Sequence, residues 1–231
     1  VHSLKDVETI RPAEIAIAAI LPREDVRDVL LGAASLANLP PGARIGTSAP
    51  RRAAQLLHLR PDCVIVPFRG NVATRLAKLA AGEADATLLA AAGLNRLGET
   101  GTGHLLPAED WLPAPGQGAI VIECRSDDAK TRALLAAIDD APSRRAVMAE
   151  RALLAALGGN CHSPIAVLTA ADGDLLHLRA ALFSPDGSER CDGEARFAPG
   201  DSEGPARLAA ALLAKAVPAI ANHFAGPQRP A

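Results

Sequence analysis

The chain is 231 residues long, carries a formal net charge of -2 and is 49% hydrophobic, which allows one large domain or two smaller ones and argues against disorder. Only 2% of it is aromatic, with no Tyr, so a stacking platform for nucleic acid is not expected, and the near-neutral balance gives no pull toward polyanions or acidic lipid. Cys63, Cys124, Cys161 and Cys191 are scattered without a CxxC pair or His/Cys zinc spacing, so neither a metal site nor a disulfide framework is expected.

No cationic region with an apolar core opens the chain, and the apolar run 15–21 is far too short for a bilayer. The expected compartment is therefore the cytoplasm, with no membrane partner. From residue 43 onward, strands and helices alternate. Residues 43–46 read as a short strand leading into a helix over 51–59, with Ser48 as N-cap and Pro50 in the first turn. Residues 63–68 are a compact apolar strand, and Asn71 caps a helix over 72–81 that Gly82 ends. Residues 85–91 form the next strand and 93–96 the next turn. This rhythm predicts a parallel, doubly wound α/β sheet.

Two Pro and two Gly within 112–118 break the rhythm before the apolar strand 119–124, as a chain does when it passes between domains. A helix over 143–157 stops at Gly158 and Gly159, which leaves Asn160 and Cys161 on the following turn. Residues 175–197 read as a hairpin about the turn 184–187, and a helix over 205–223, kinked at Pro218, closes the chain.

The basic residues are skewed, 20 Arg against 4 Lys, and Arg presents a fork that grips carboxylates or phosphates in bidentate fashion. Three turns that follow predicted strands carry Thr47, Arg51 and Arg52; Arg69, Asn71 and Arg75; and Arg96. Ligands of open α/β sheets bind at such strand ends, where helix N-termini also attract anions. Neither a GxxxxGK[ST] loop nor a GxGxxG follows a strand, so the ligand is not expected to be a nucleotide. Any single Arg is as readily a surface partner of an acid such as Glu83 or Asp85. On local chemistry, Cys161 is a loop thiol beside His162, and an inert structural role is the default. His2 has no identifiable partner.

The strings HSLKDV, LPREDVRDVL, GTSAPRRAAQL, IVPFRGNVATRLAKL, AAGLNRLG, LPAPGQGAIVIECR and AERALLAALGGNCHSPI occur in an order that resembles the porphobilinogen deaminase (hydroxymethylbilane synthase) family, from Val1 to about Ala166. The resemblance implies two doubly wound, periplasmic-binding-protein-like α/β domains and a small α+β C-terminal domain. It places 1–22 and 114–138 in the first domain, incomplete here, 23–113 in the second, and 139–231 in the third. With the first domain incomplete, Asp6 and the strand 119–124 are expected to lack sheet neighbours.

It further implies a transferase of tetrapyrrole (haem) biosynthesis that joins four porphobilinogens into hydroxymethylbilane, with loss of ammonia at each addition. The chain would be built on a dipyrromethane cofactor bound covalently through Cys161. Asp6 would be the catalytic carboxylate, stabilising the cationic azafulvene left by ammonia. Ser3, Lys5, Thr47, Arg51, Arg52 and Gln117 would hold the cofactor, and Arg69, Asn71, Arg75 and Arg96 the substrate. Partners would be porphobilinogen and its oligopyrrole products, with no nucleic acid, on a monomer. Two spellings depart from the family: GNC replaces GGC at 159–161, and TSAPRR replaces TSSLRR at 47–52.

Overall fold

In the computed structural model, which describes residues 1–99 and 101–224, the chain opens with β1 (His2–Ser3), a 3-10 turn over Leu4–Asp6, and β2 (Ile15–Ile20). It then crosses to β3 (Asp28–Leu31), and β4 (Arg44–Gly46) feeds α1 (Pro50–Leu59). Next come β5 (Val64–Val66), α2 (Val72–Ala80), β6 (Ala86–Ala90), α3 (Ala91–Arg96) and β7 (His104–Leu105). Strands β3 to β7 form one sheet in the order β5-β4-β6-β3-β7. Residues alternate faces along it. Leu30 and Leu88 pack with Ile45, Leu56 and the buried Trp111, whereas Val29, Leu31 and Leu89 meet Leu94, Leu76 and Leu79.

Three expectations are corrected here. Strands β4, β5 and β6 are parallel, but β3 runs antiparallel to both of its neighbours. β4 lies on the far side of β6 from β3, and the link between them holds only a 3-10 turn over Leu36–Asn38, without the helix of a parallel crossover. Residues 93–96 are not a turn: α3 leaves β6 with no intervening loop, burying Ala91, Ala92 and Leu94. The N-cap of α1 is Ala49 rather than Ser48, with Pro50 in the first turn, while Asn71 caps α2 through Thr74 N at 2.9 Å.

β8 (Ile120–Arg125) returns to the first sheet, which has the order β1-β8-β2 and is antiparallel throughout. The strand expected to lack neighbours therefore lies between two, because β1 and β2 flank it within this chain. After α4 (Ala129–Leu135) comes α5 (Ala141–Ala156), capped by Asp140. β9 (Ile165–Asp172), β10 (Leu175–Phe183) and β11 (Arg190–Phe197) make a three-stranded antiparallel meander. The expected hairpin is thus two-thirds of a sheet, and β9 escaped notice because its Ala residues blur the alternation of Ile165, Val167 and Thr169. The closing helix is two helices, α6 (Glu203–Lys215) and α7 (Pro218–Ala221), since the residue before a proline is steered out of helical geometry and Val217 is extended. Leu153, Leu157, Leu178, Leu182, Leu208 and Leu212 fill the core between α5, α6 and this sheet. Residues 225–231 of the expected third domain lie outside the described residues. No helix among the described residues is long and apolar enough to cross a membrane.

Candidate functional site

The N-terminal turn of α1 delivers Arg51 and Arg52 inward, where both are buried against one carboxylate. Asp28, at the start of β3, accepts from Arg51 Nη1 and Arg52 Nη2 at 2.6 Å each, from Trp111 Nε1 at 2.8 Å and from Gln117 Nε2 at 2.9 Å. Burial pushes the Asp28 carboxyl up, but the two guanidiniums outweigh it and hold the group well below the usual carboxylate range. Backbone carbonyls of Leu112 and Leu88 and the Gln117 side chain take further N–H groups of the pair. The Nε–H of each arginine has no partner among the described residues. Buried donors left unpaired are costly, and these two are part of the cost of packing two cations against one carboxylate.

Asp28 was missed by sequence reasoning, which sought acids near the arginines in the chain. Glu83 and Asp85 instead pair with Lys78 and Arg44. An available signal was an acid opening the otherwise apolar strand DVLL, which needs a cationic partner if buried.

The second half of the site comes from the two other sheets. The 3-10 turn buries Leu4 and lifts Lys5 and Asp6 toward the arginines. Burial lowers the Lys5 pKa first, then the Arg52 charge, while Asp6 and Asp28 oppose them. On the other side, α5 is capped at Leu157 and the backbone turns through Asn160–Ser163. Asn160 N donates to Ser163 Oγ and Ser163 N to Asn160 O, both at 3.0 Å, and His162 N donates to Asn160 Oδ1 at 2.8 Å. The turn exposes Cys161. Lys5, Asp6, Arg51, Arg52, Gln117 and Cys161 line one cavity, together with Pro50, Pro115 and Ser163.

The other expected residues divide. Arg75, whose Nε donates to Gly70 O at 2.9 Å, has its pKa lowered by burial and by Arg52 and raised by Asp6, and does not line the cavity. Arg69 is exposed at the β5–α2 turn and does not line the cavity. Arg96 is drawn elsewhere: its Nη2 donates to Gly118 O at 2.9 Å, tying α3 to the segment that leads into β8. The Asn71 side-chain oxygen is occupied by the Thr74 backbone and hydroxyl. Thr47 is buried, with its hydroxyl accepting from Ala49 N at 3.2 Å. Ser3 lies in β1 and makes no side-chain cap to the 3-10 turn. His2 faces Glu123 at 3.3 Å.

Behind the cavity, Glu150 of α5 is fully buried. It accepts from Arg23 Nη1 and Nη2 at 2.8 and 2.9 Å, from Gly116 N at 2.7 Å and from Thr169 N at 2.9 Å. This carboxylate ties together both strands of chain that pass between the first two sheets and the meander beyond them.

Two family models match the chain: "Porphobilinogen deaminase, dipyromethane cofactor binding domain" over residues 1–133 and "Porphobilinogen deaminase, C-terminal domain" over residues 144–215. A porphobilinogen deaminase of Sphingopyxis alaskensis is 57% identical over 97% of this chain, and those of Paracoccus denitrificans and Nitrobacter hamburgensis are 52% and 50% identical over 82%. The chain spans 73% of the Sphingopyxis protein's own length and 61% of each of the other two.

Proposed function

The chain belongs to the porphobilinogen deaminase family, and from that premise we propose that it joins porphobilinogens head to tail into hydroxymethylbilane on a dipyrromethane held through Cys161. One observation carries the reading: the exposed Cys161 thiol opens on the same cavity as Asp6, Lys5 and the Arg51–Arg52 pair. The residues fit the cofactor. A thiol supplies the attachment point, and the Arg51 and Arg52 guanidiniums with Lys5 supply positive charge in the cavity wall for its carboxylates. When bound, the dipyrromethane supplies the nucleophilic pyrrole carbon to which the first substrate is joined.

Porphobilinogen carries an acetate, a propionate and an aminomethyl group. Arg75, exposed Arg69 and Lys5 would receive its carboxylates as it enters. Loss of ammonia leaves a positive charge shared with the pyrrole nitrogen, and the Asp6 carboxylate would accept the pyrrole N–H and stabilise that charge. It would also take the proton released when the new carbon–carbon bond forms. Preorganised groups of this kind contribute about 10²–10³ in rate. In this reading Asn71 and Arg96 act on the substrate through the turns they brace, α2 and the segment before β8. Porphobilinogen is the substrate, and the chain works as a cytoplasmic monomer.

Intact mass spectrometry after incubation with porphobilinogen tests the reading. An adduct of two pyrrole units, absent from Cys161→Ser, is expected, and Asp6→Asn should keep the adduct while kcat falls about 10²-fold. A free Cys161 thiol in folded protein that still binds porphobilinogen would leave only an anion-binding module.

A further inference from the structure

The loop that carries Asp6 and the turn that carries Cys161 are 150 residues apart in the chain at Thr9 and Gly159, yet they are joined directly. Thr9, three residues after Asp6, donates its hydroxyl to the carbonyl of Gly159, two residues before Cys161, at 2.9 Å. A second tie lies beside it. Arg151 of α5 is buried, and its Nη2 donates to Glu8 O and Thr9 O at 2.8 and 2.9 Å, with Nη1 near Val7 O at 3.5 Å. No carboxylate is hydrogen-bonded to this guanidinium among the described residues. Its Nη1 and Nη2 groups are directed at three successive carbonyls of one loop, which fixes the path of the backbone rather than neutralising a charge.

The helix that holds Arg151 runs on into the Cys161 turn. Gly159 is tied back to the helix there, since its N–H donates to Leu154 O at 2.9 Å and that of Gly158 to Ala155 O at 3.0 Å. Thr9 and Arg151 therefore grip the Asp6 loop at two points on a single rigid piece, the end of α5 and the turn beyond it. A carbonyl at a helix end needs a donor from somewhere. What is particular here is that the donor comes from the loop bearing the carboxylate.

We propose that Thr9 and Arg151 are positioning residues that hold the Asp6 loop in register with the Cys161 turn, so that whatever Cys161 carries is presented to Asp6. This rests on the function proposed above for those two residues.

Thr9→Val keeps the side chain's shape and removes only the donor, and Thr9→Ser restores it. In the unloaded chain, hydrogen exchange in segments 4–9 and 158–163 should quicken about fivefold in Thr9→Val, the loss of one hydrogen bond, with exchange elsewhere unchanged. With porphobilinogen supplied, Thr9→Val should lower kcat several-fold at constant KM, and Thr9→Ser should recover both readouts. Arg151→Lys, which cannot span three carbonyls, should quicken exchange in the same two segments. Unchanged exchange in Thr9→Val overturns the inference. So does a general rise in exchange that Thr9→Ser does not correct, or a local rise that leaves kcat untouched, since both describe a purely structural bond. An unsubstituted chain that forms no adduct on Cys161 refutes the proposed function instead, and the exchange measurements still decide whether the loop and the turn are held together.

Discussion

Asp28 takes a buried carboxylate and makes it the shared acceptor of four donors, two of them charged. Without it, Arg51 and Arg52 would be two neighbouring cations in a dry site. Removing one partner of such a cluster costs about 3–5 kcal/mol, because charge is left buried and unmatched. Asp28→Asn should therefore lower the free energy of unfolding by about that much at pH 7, read from urea denaturation. The pH dependence follows from the lowered pKa. Asp28 titrates lower when folded than unfolded, so its contribution is complete above the unfolded value of about 4 and is lost as pH falls through the folded one. The gap between parent and variant should narrow on acidification below about pH 5. A gap that stays constant, or no gap at neutral pH, would show that the arginines do not depend on this carboxylate.

At the scale of elements, α5 does two jobs with its two ends. Asp140 caps its start through Ser143 N at 2.9 Å, and its last turn hands the chain to Cys161. At that exit the Leu154 side chain lies 2.6 Å from where a Cβ on Gly159 would stand, so any larger residue must move it. Gly159→Ala should force Leu154 from its position in the meander core, an overpacking worth about 1–3 kcal/mol. It should also slow adduct formation on Cys161 by displacing the turn. Thermal unfolding and the time course of the adduct mass would measure the two effects. Full stability together with full loading would mean that the turn adapts freely.

For the whole molecule, the question is what keeps three sheets in one arrangement. Glu150 is one answer, joined to Arg23, Gly116 and Thr169. A second lies between α1 and the meander: His58 Nδ1 meets Gly187 O at 3.0 Å, and the His58 and Phe183 rings pack edge-on at 6.0 Å. Gly187 sits at φ +73 with α1 backbone 2.5 Å from any Cβ, so only glycine fits there. Arg23→Met and Glu150→Leu should each cost about 3–5 kcal/mol, while the double substitution should cost less than the sum, since no charge is then stranded. Additive losses across that cycle would argue that the ion pair does not couple the sheets.

Much of this was legible in the sequence, and for physical reasons. Strand and helix periods, the Asn71 cap, the stop of α5 at Gly158 and the exposed turn at Cys161 are set by residues within a few positions of one another. The ordered motifs identified the family, and with it the cavity's expected lining of Lys5, Asp6, Arg51, Arg52, Gln117 and Cys161. What the sequence could not supply were choices between partners distant in the chain. Asp28 rather than Asp85 receives the arginines, β3 runs against its sheet, and Arg96 is drawn to Gly118 instead of the cavity. The tie from Thr9 to Gly159 is of the same kind. Local residues determine which short elements form and which turns stay open, but a buried charge takes whichever partner the packed sheets bring within reach, and only the tertiary structure decides that.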